Sequence, residues 1–71
     1  MGKQKQTFRR GNLLYNTVDN YFCIYIQKNT KLNYHHIFQL EEGNIVGMYV
    51  VKGTELTIPN TIPEYLNHLI N

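Results

Sequence analysis

The stretch YHHIFQLEEGNIVGMYVVK, residues 34–52, decides the fold. It opens on aromatic, histidine and β-branched residues, breaks at Glu41-Glu42-Gly43-Asn44, and resumes as an apolar run rich in valine. Residues of these types fit a pleated surface. A glycine-bearing break between two such runs marks a hairpin turn. The stretch therefore reads as strand 34–40, turn, strand 45–52. Its histidine pair is also the densest chemistry in the chain. Neighbouring residues on a strand point to opposite faces, so His35 and His36 do not hold one ion or one substrate together.

Working outward, the same signals repeat every ten or so residues. Residues 12–18 (NLLYNTV) read as a first strand, with Asp19-Asn20 as a turn. Residues 21–28 (YFCIYIQK) read as a second strand and NTKLN as a connection. After the turn KGTE, residues 55–59 (ELTIP) read as a short fifth strand stopped by Pro59. Thr61-Ile62-Pro63-Glu64 has the form of a helix start with proline in the first turn. Ile62, Leu66 and Leu69 then share a face at helical spacing, so a short helix is expected over 62–70. The fold class expected is all-β: a small antiparallel sandwich or barrel of five or more short strands with a C-terminal helix. That helix would cover the sheet or dock a partner. An SH3-like barrel is the alternative, suggested by RRGNLLYN followed by short strands.

Composition agrees. The 71 residues contain no alanine, serine or tryptophan. The missing alanine disfavours a helical protein, and the missing serine excludes a serine nucleophile. Usage rich in Asn, Ile and Tyr suggests a low-GC bacterium or its phage. Cys23 is the single cysteine, so no internal disulfide forms, and one thiol suits a reducing cytoplasm. No apolar run reaches the roughly 18 residues that span a membrane. The expectation is one cytoplasmic domain, residues 11–71, with no membrane partner.

Net charge is +2, unevenly placed. Lys3, Lys5, Arg9 and Arg10 lie in the first ten residues, leaving the remainder slightly acidic. Residues 1–10 are expected to be a flexible basic arm. They are either a solvated tail or, with Lys28 and Lys31, a contact for the phosphates of single-stranded RNA or DNA.

Strands two and four are apolar on both faces. Tyr21, Cys23 and Tyr25 oppose Phe22, Ile24 and Ile26; Ile45, Gly47, Tyr49 and Val51 oppose Val46, Met48 and Val50. A domain this small buries only about 60% of its unfolded surface, so covering both faces points to a homo-oligomer joined at sheet faces or edges. Catalytic and metal readings are weak. Cys23 sits mid-strand, where a free cysteine is a small buried hydrophobe. No zinc-ligand spacing, paired carboxylates or phosphate-binding glycine loop is present. No enzyme activity, cofactor or metal is expected.

The stretch YHHIFQLEEGNIV, the VDN turn, the QKNT loop ending in Thr30 and the KGTE loop with Thr54 together resemble the tryptophan-activated RNA-binding attenuation protein family over residues 13–57. The resemblance implies small β subunits joined edge to edge in a ring. It further implies a ligand held between subunits in threonine-rich loops and single-stranded RNA around the rim. Thr30, His36, Gly43 and Thr54 are retained. The family's basic RNA contacts fall here on Gln39, Ile58 and Asn60, and several hydroxyl positions of the pocket become Gln27, Leu32, Tyr49 and Val51. The expected function is an oligomeric, regulatory, non-enzymatic binding protein. Gln27, Thr30, His36, Tyr49 and Thr54 would take a small ligand, and Lys3, Lys5, Arg9, Arg10, Lys28 and Lys31 a nucleic acid. The alternative is a monomeric, phage-type protein that binds and inhibits a host protein.

Overall fold

A computed structural model describes residues 8–29 and 33–69. Five antiparallel strands form one sheet: β1 (Leu13–Asn16), β2 (Tyr21–Lys28), β3 (Tyr34–Glu41), β4 (Asn44–Lys52) and β5 (Leu56–Thr57). Their order across the sheet is β4-β3-β2-β1-β5. Strands β1 to β4 run as a meander, and the two-residue β5 turns back to pair Tyr15 with Thr57 and Asn16 with Leu56. The all-β expectation holds. Among the described residues no helix is long and apolar enough to cross a membrane.

Local chemistry fixes each turn. Asn16, fully buried, ends β1 by accepting the Val18 and Asp19 N–H groups on its side-chain oxygen at 2.9 and 2.8 Å. A side chain that substitutes for the ladder in this way stops a strand, which is why β1 is shorter than the strand expected over residues 12–18. Asn20 takes φ +60° and returns the chain to β2. Between β3 and β4, Glu42 and Gly43 both have positive φ, +52° and +85°. They lie between the paired Glu41 and Asn44. A two-residue loop of this kind matches the twist of the flanking strands.

Two bulges reset the faces. The β2–β3 register slips between Tyr25 and Gln27. Beyond it, Gln27 pairs with His36 and Lys28 with His35. Strict alternation would have set Lys28 opposite Tyr25; the extra residue brings both to the same face. A second slip pairs Leu40 with Ile45 and Gln39 with Gly47. Ile45 thus lies on the Leu40 face, not with Gly47, Tyr49 and Val51 as expected from alternation.

Each face carries its own core. One packs Leu14, Cys23, Tyr25, Ile37, Val51 and Leu56, with Phe8 and Tyr21 against them. The other packs Leu13, Leu40 and Leu66, flanked by Phe22, Ile24, Ile62 and Leu69. The C-terminal segment supplies this second cover, as a six-residue 3-10 helix, Glu64–Leu69. Its first turn closes through the Leu66 N–H on the Pro63 carbonyl at 2.9 Å. Six residues are too few for an α-helix to hold itself, and tighter i→i+3 turns suit short pieces. Ile70, the last residue of the expected helix, lies outside the described residues.

The expected burial of both faces holds in part for β2, where Cys23 and Tyr25 are buried and Phe22, Ile24 and Ile26 half-buried, and fails for β4. Apart from Gly47 and Val51, every residue of β4 is exposed. The cause is position: β4 is the end strand of the sheet, and the C-terminal cover packs on Leu40 and the Gly43 turn.

Candidate functional site

A concavity opens on the first core. It is a cleft of about 710 Å³ lined by Phe8, Tyr25, Lys28, His35, Gly53 and Thr54, together with Thr17, Asn33, Leu56 and Thr57. Its floor is a polar pair within an apolar core. The Tyr25 hydroxyl meets His35 Nδ1 at 2.8 Å, and both side chains are more than nine-tenths buried. Phe8 packs on both rings, its centroid 5.5 Å from Tyr25 and 5.9 Å from His35.

A folded N-terminal turn puts Phe8 there. The Arg9 N–H donates to the Asn12 side-chain oxygen, and the Asn12 N–H donates back to the Arg9 carbonyl. Gly11, at φ +91°, completes the reversal and donates to the Tyr25 carbonyl. Arg10 then reaches the β2 bulge: its Nε donates to the Ile26 carbonyl at 3.3 Å and its Nη2 approaches the Gln27 side-chain oxygen at 3.5 Å. The expected arm of residues 1–10 is thus part of the folded body from Phe8 onward. Phe8 was not among the core or site residues read from the sequence; the one aromatic ring in a polar stretch was the available signal.

The opposite wall is the 3-10 turn Gly53–Glu55. A Cβ on Gly53 would stand 2.7 Å from His35 Nε2, so this approach requires glycine. Glu55 is directed away from the cleft. Its carboxylate accepts from the Asn16 amide at 3.3 Å, while its carbonyl receives the Thr17 N–H and hydroxyl at 2.8 and 3.1 Å.

Burial, and secondly the positive charge of Lys28, hold the His35 pKa below its usual value. The imidazole is therefore neutral at pH 7. Burial also raises the pKa of Tyr25 and pushes the Cys23 thiol up to about 12. A thiol held protonated in this way is a poor nucleophile. Among the described residues, no group of three His, Cys, Asp or Glu side chains could hold a metal ion.

The expected ligand residues divide between the two faces of one chain. Gln27 pairs with His36, so both point to the face opposite His35 and Ile37. Tyr49 pairs with Ile37 and so shares the His35 face, where Thr54 lines the cleft. Thr30 lies outside the described residues, as do Lys3, Lys5 and Lys31. Of the expected nucleic-acid residues, Arg9, Arg10 and Lys28 are described and exposed. Lys28 lines the cleft. The histidine that sequence reasoning favoured was His36; the cleft is built on His35.

The second feature is the β4 edge. Ile45, Val46, Met48, Tyr49 and Val50 are all about half or more exposed, Met48 most at 62%. Monomeric proteins blunt edge strands with charge, proline or a covering segment. Here the only charged residue of β4 is Lys52, at its end. No protein-family model, curated protein or solved structure matches this chain.

Proposed function

We propose that this chain is a small, non-enzymatic binding protein that self-associates through β4. The observation that carries the reading is the largely exposed, apolar β4 edge, charged only at Lys52. A second copy is the occupant that best fits it. Antiparallel pairing of β4 with its own copy about Met48 would set Tyr49 against Gly47 and Val50 against Val46. Each Lys52 would then lie beside Asn44, close to the partner's acidic Glu41-Glu42 turn. A closed ring needs a second edge of similar length, and β5 offers only two residues. The two-fold pairing therefore suits the edge lengths better than the ring. The raised Cys23 pKa and the neutral, hydrogen-bonded His35 support binding over catalysis. The bound partner on this reading is a small molecule, single-stranded nucleic acid, or both.

Sedimentation equilibrium tests the reading. Wild-type protein should have twice the chain mass, and Met48→Lys should return it to one chain while keeping the fold. A wild-type monomer at the highest attainable concentration overturns it. A single-stranded RNA partner would be lost steeply with rising salt, since such binding rests on released counterions.

One observation favours a second reading. The meander β1–β4, a 3-10 turn and a short strand returning to β1 follow the path of an SH3-like barrel. On that reading the exposed β4 meets a host protein, and the partner survives high salt.

A further inference from the structure

The Tyr25 hydroxyl has one hydrogen-bond partner among the described residues, His35 Nδ1. The donor and acceptor roles in this pair follow the imidazole tautomer. In the tautomer where the phenol O–H donates to Nδ1, the ring proton sits on Nε2. Nε2 lies against Gly53, on the wall of the cleft, with no partner among the described residues. Among the described residues no side-chain N or O is both sealed from solvent and unpartnered, so Nε2 opens to the cleft. That tautomer offers one N–H donor, on a side chain more than nine-tenths buried, at the edge of an otherwise apolar floor.

The lining has a definite charge character. Among the described residues it contains no aspartate or glutamate, and Lys28 is its one cation, brought to this face by the β2 bulge and making no ion pair among them. Thr54 and Thr57 add hydroxyls and Asn33 an amide, while Phe8, Tyr25 and Leu56 supply apolar surface. At about 710 Å³ the cleft lies within the range of small-molecule sites.

We propose that this cleft binds a small organic anion, its charged group taken by the His35 Nε2–H and the Lys28 ammonium and its apolar body by Phe8, Tyr25 and Leu56. This deepens the binding-protein reading but is independent of assembly. A monomer that binds the anion would remove the assembly and keep the cleft; a dimer that does not would do the reverse.

Titration of ¹⁵N-labelled full-length protein with phenyl phosphate, benzoate, inorganic phosphate and benzyl alcohol tests the proposal. Phenyl phosphate or benzoate should shift the Gly53, Thr54 and His35 signals to saturation. Benzyl alcohol, which lacks the charge, and inorganic phosphate, which lacks the body, should bind at least about tenfold more weakly, the worth of one charge-assisted contact. Lys28→Gln, an exposed change that leaves the core intact, should weaken the two aromatic anions by a similar factor and leave benzyl alcohol unchanged. Equal binding of all four probes overturns the proposal. So do shifts confined to residues outside the cleft, or anion binding unaltered by Lys28→Gln.

Discussion

Tyr25→Phe removes one oxygen and keeps the ring. The packing of Phe8 and His35 on that ring, at centroid distances of 5.5 Å each, survives. What is lost is the 2.8 Å bond to His35 Nδ1. The imidazole cannot follow, since it is held between Phe8, Tyr25 and Gly53, so a buried ring nitrogen loses its partner. Leaving such a group unsatisfied costs about 1–3 kcal/mol, the upper part of the range applying where water cannot enter. Here His35 is 8% exposed and borders an open cleft, so the expected loss is about 1–2 kcal/mol. For a domain of this size that lowers Tm by on the order of 5–15 °C. Urea unfolding followed by circular dichroism at one fixed protein concentration reads the loss. Tyr21→Phe is the control. Its hydroxyl meets the Asn16 amide at 3.3 Å on a half-buried ring, and its loss should stay below about 0.5–1 kcal/mol. Equal effects of the two substitutions would refute the claim that the Tyr25–His35 bond anchors the cleft.

Three further predictions follow from the same contacts. Leu66→Ala should cost about 2–5 kcal/mol in the same assay, because Leu66 is 1% exposed and covers Leu13 and Leu40; a loss under about 1 kcal/mol would mean that the C-terminal segment does not seal that face. Gly53→Ala should destabilise by about 1–3 kcal/mol, since its methyl group would stand 2.7 Å from a packed imidazole; a neutral result would place His35 elsewhere. The last concerns pH. The folded protein holds the His35 pKa low, whereas the unfolded chain titrates it near 6.5. Its contribution is therefore complete above about pH 6.5 and is lost as pH falls through the lower folded value. Wild-type stability should decline as pH drops from about 7 to 5, and His35→Gln should flatten that slope; a slope unchanged in the variant contradicts the assignment.

The meander was legible because β-branched and aromatic runs are separated by Asn-, Asp- and Gly-bearing turns, each fixing a local backbone reversal. The expected strands at 21–28 and 45–52 match β2 and β4 to within a residue. Three features escaped, each because a contact distant in sequence decides it. The β2 bulge moves Lys28 to the His35 face and Gln27 to the His36 face, and nothing in YFCIYIQK marks where the register slips. Phe8 joins the core only through the Arg9–Asn12 turn. The exposure of β4 follows from its place at the end of the sheet, which its apolar sequence alone would have assigned to the centre. The histidines could be assigned to opposite faces from alternation; which face is concave depended on the walls contributed by Phe8 and Gly53.

Amide hydrogen exchange along β4, read at low and high protein concentration, tests the self-association most directly. The N–H groups of β4 that face away from β3 have no partner strand among the described residues of one chain, since β4 ends the sheet. Pairing with a second copy should slow their exchange as concentration rises, alternating with the already protected amides that bond β3, and Met48→Lys should abolish the effect. Fast exchange of those outward amides at every concentration would contradict the account.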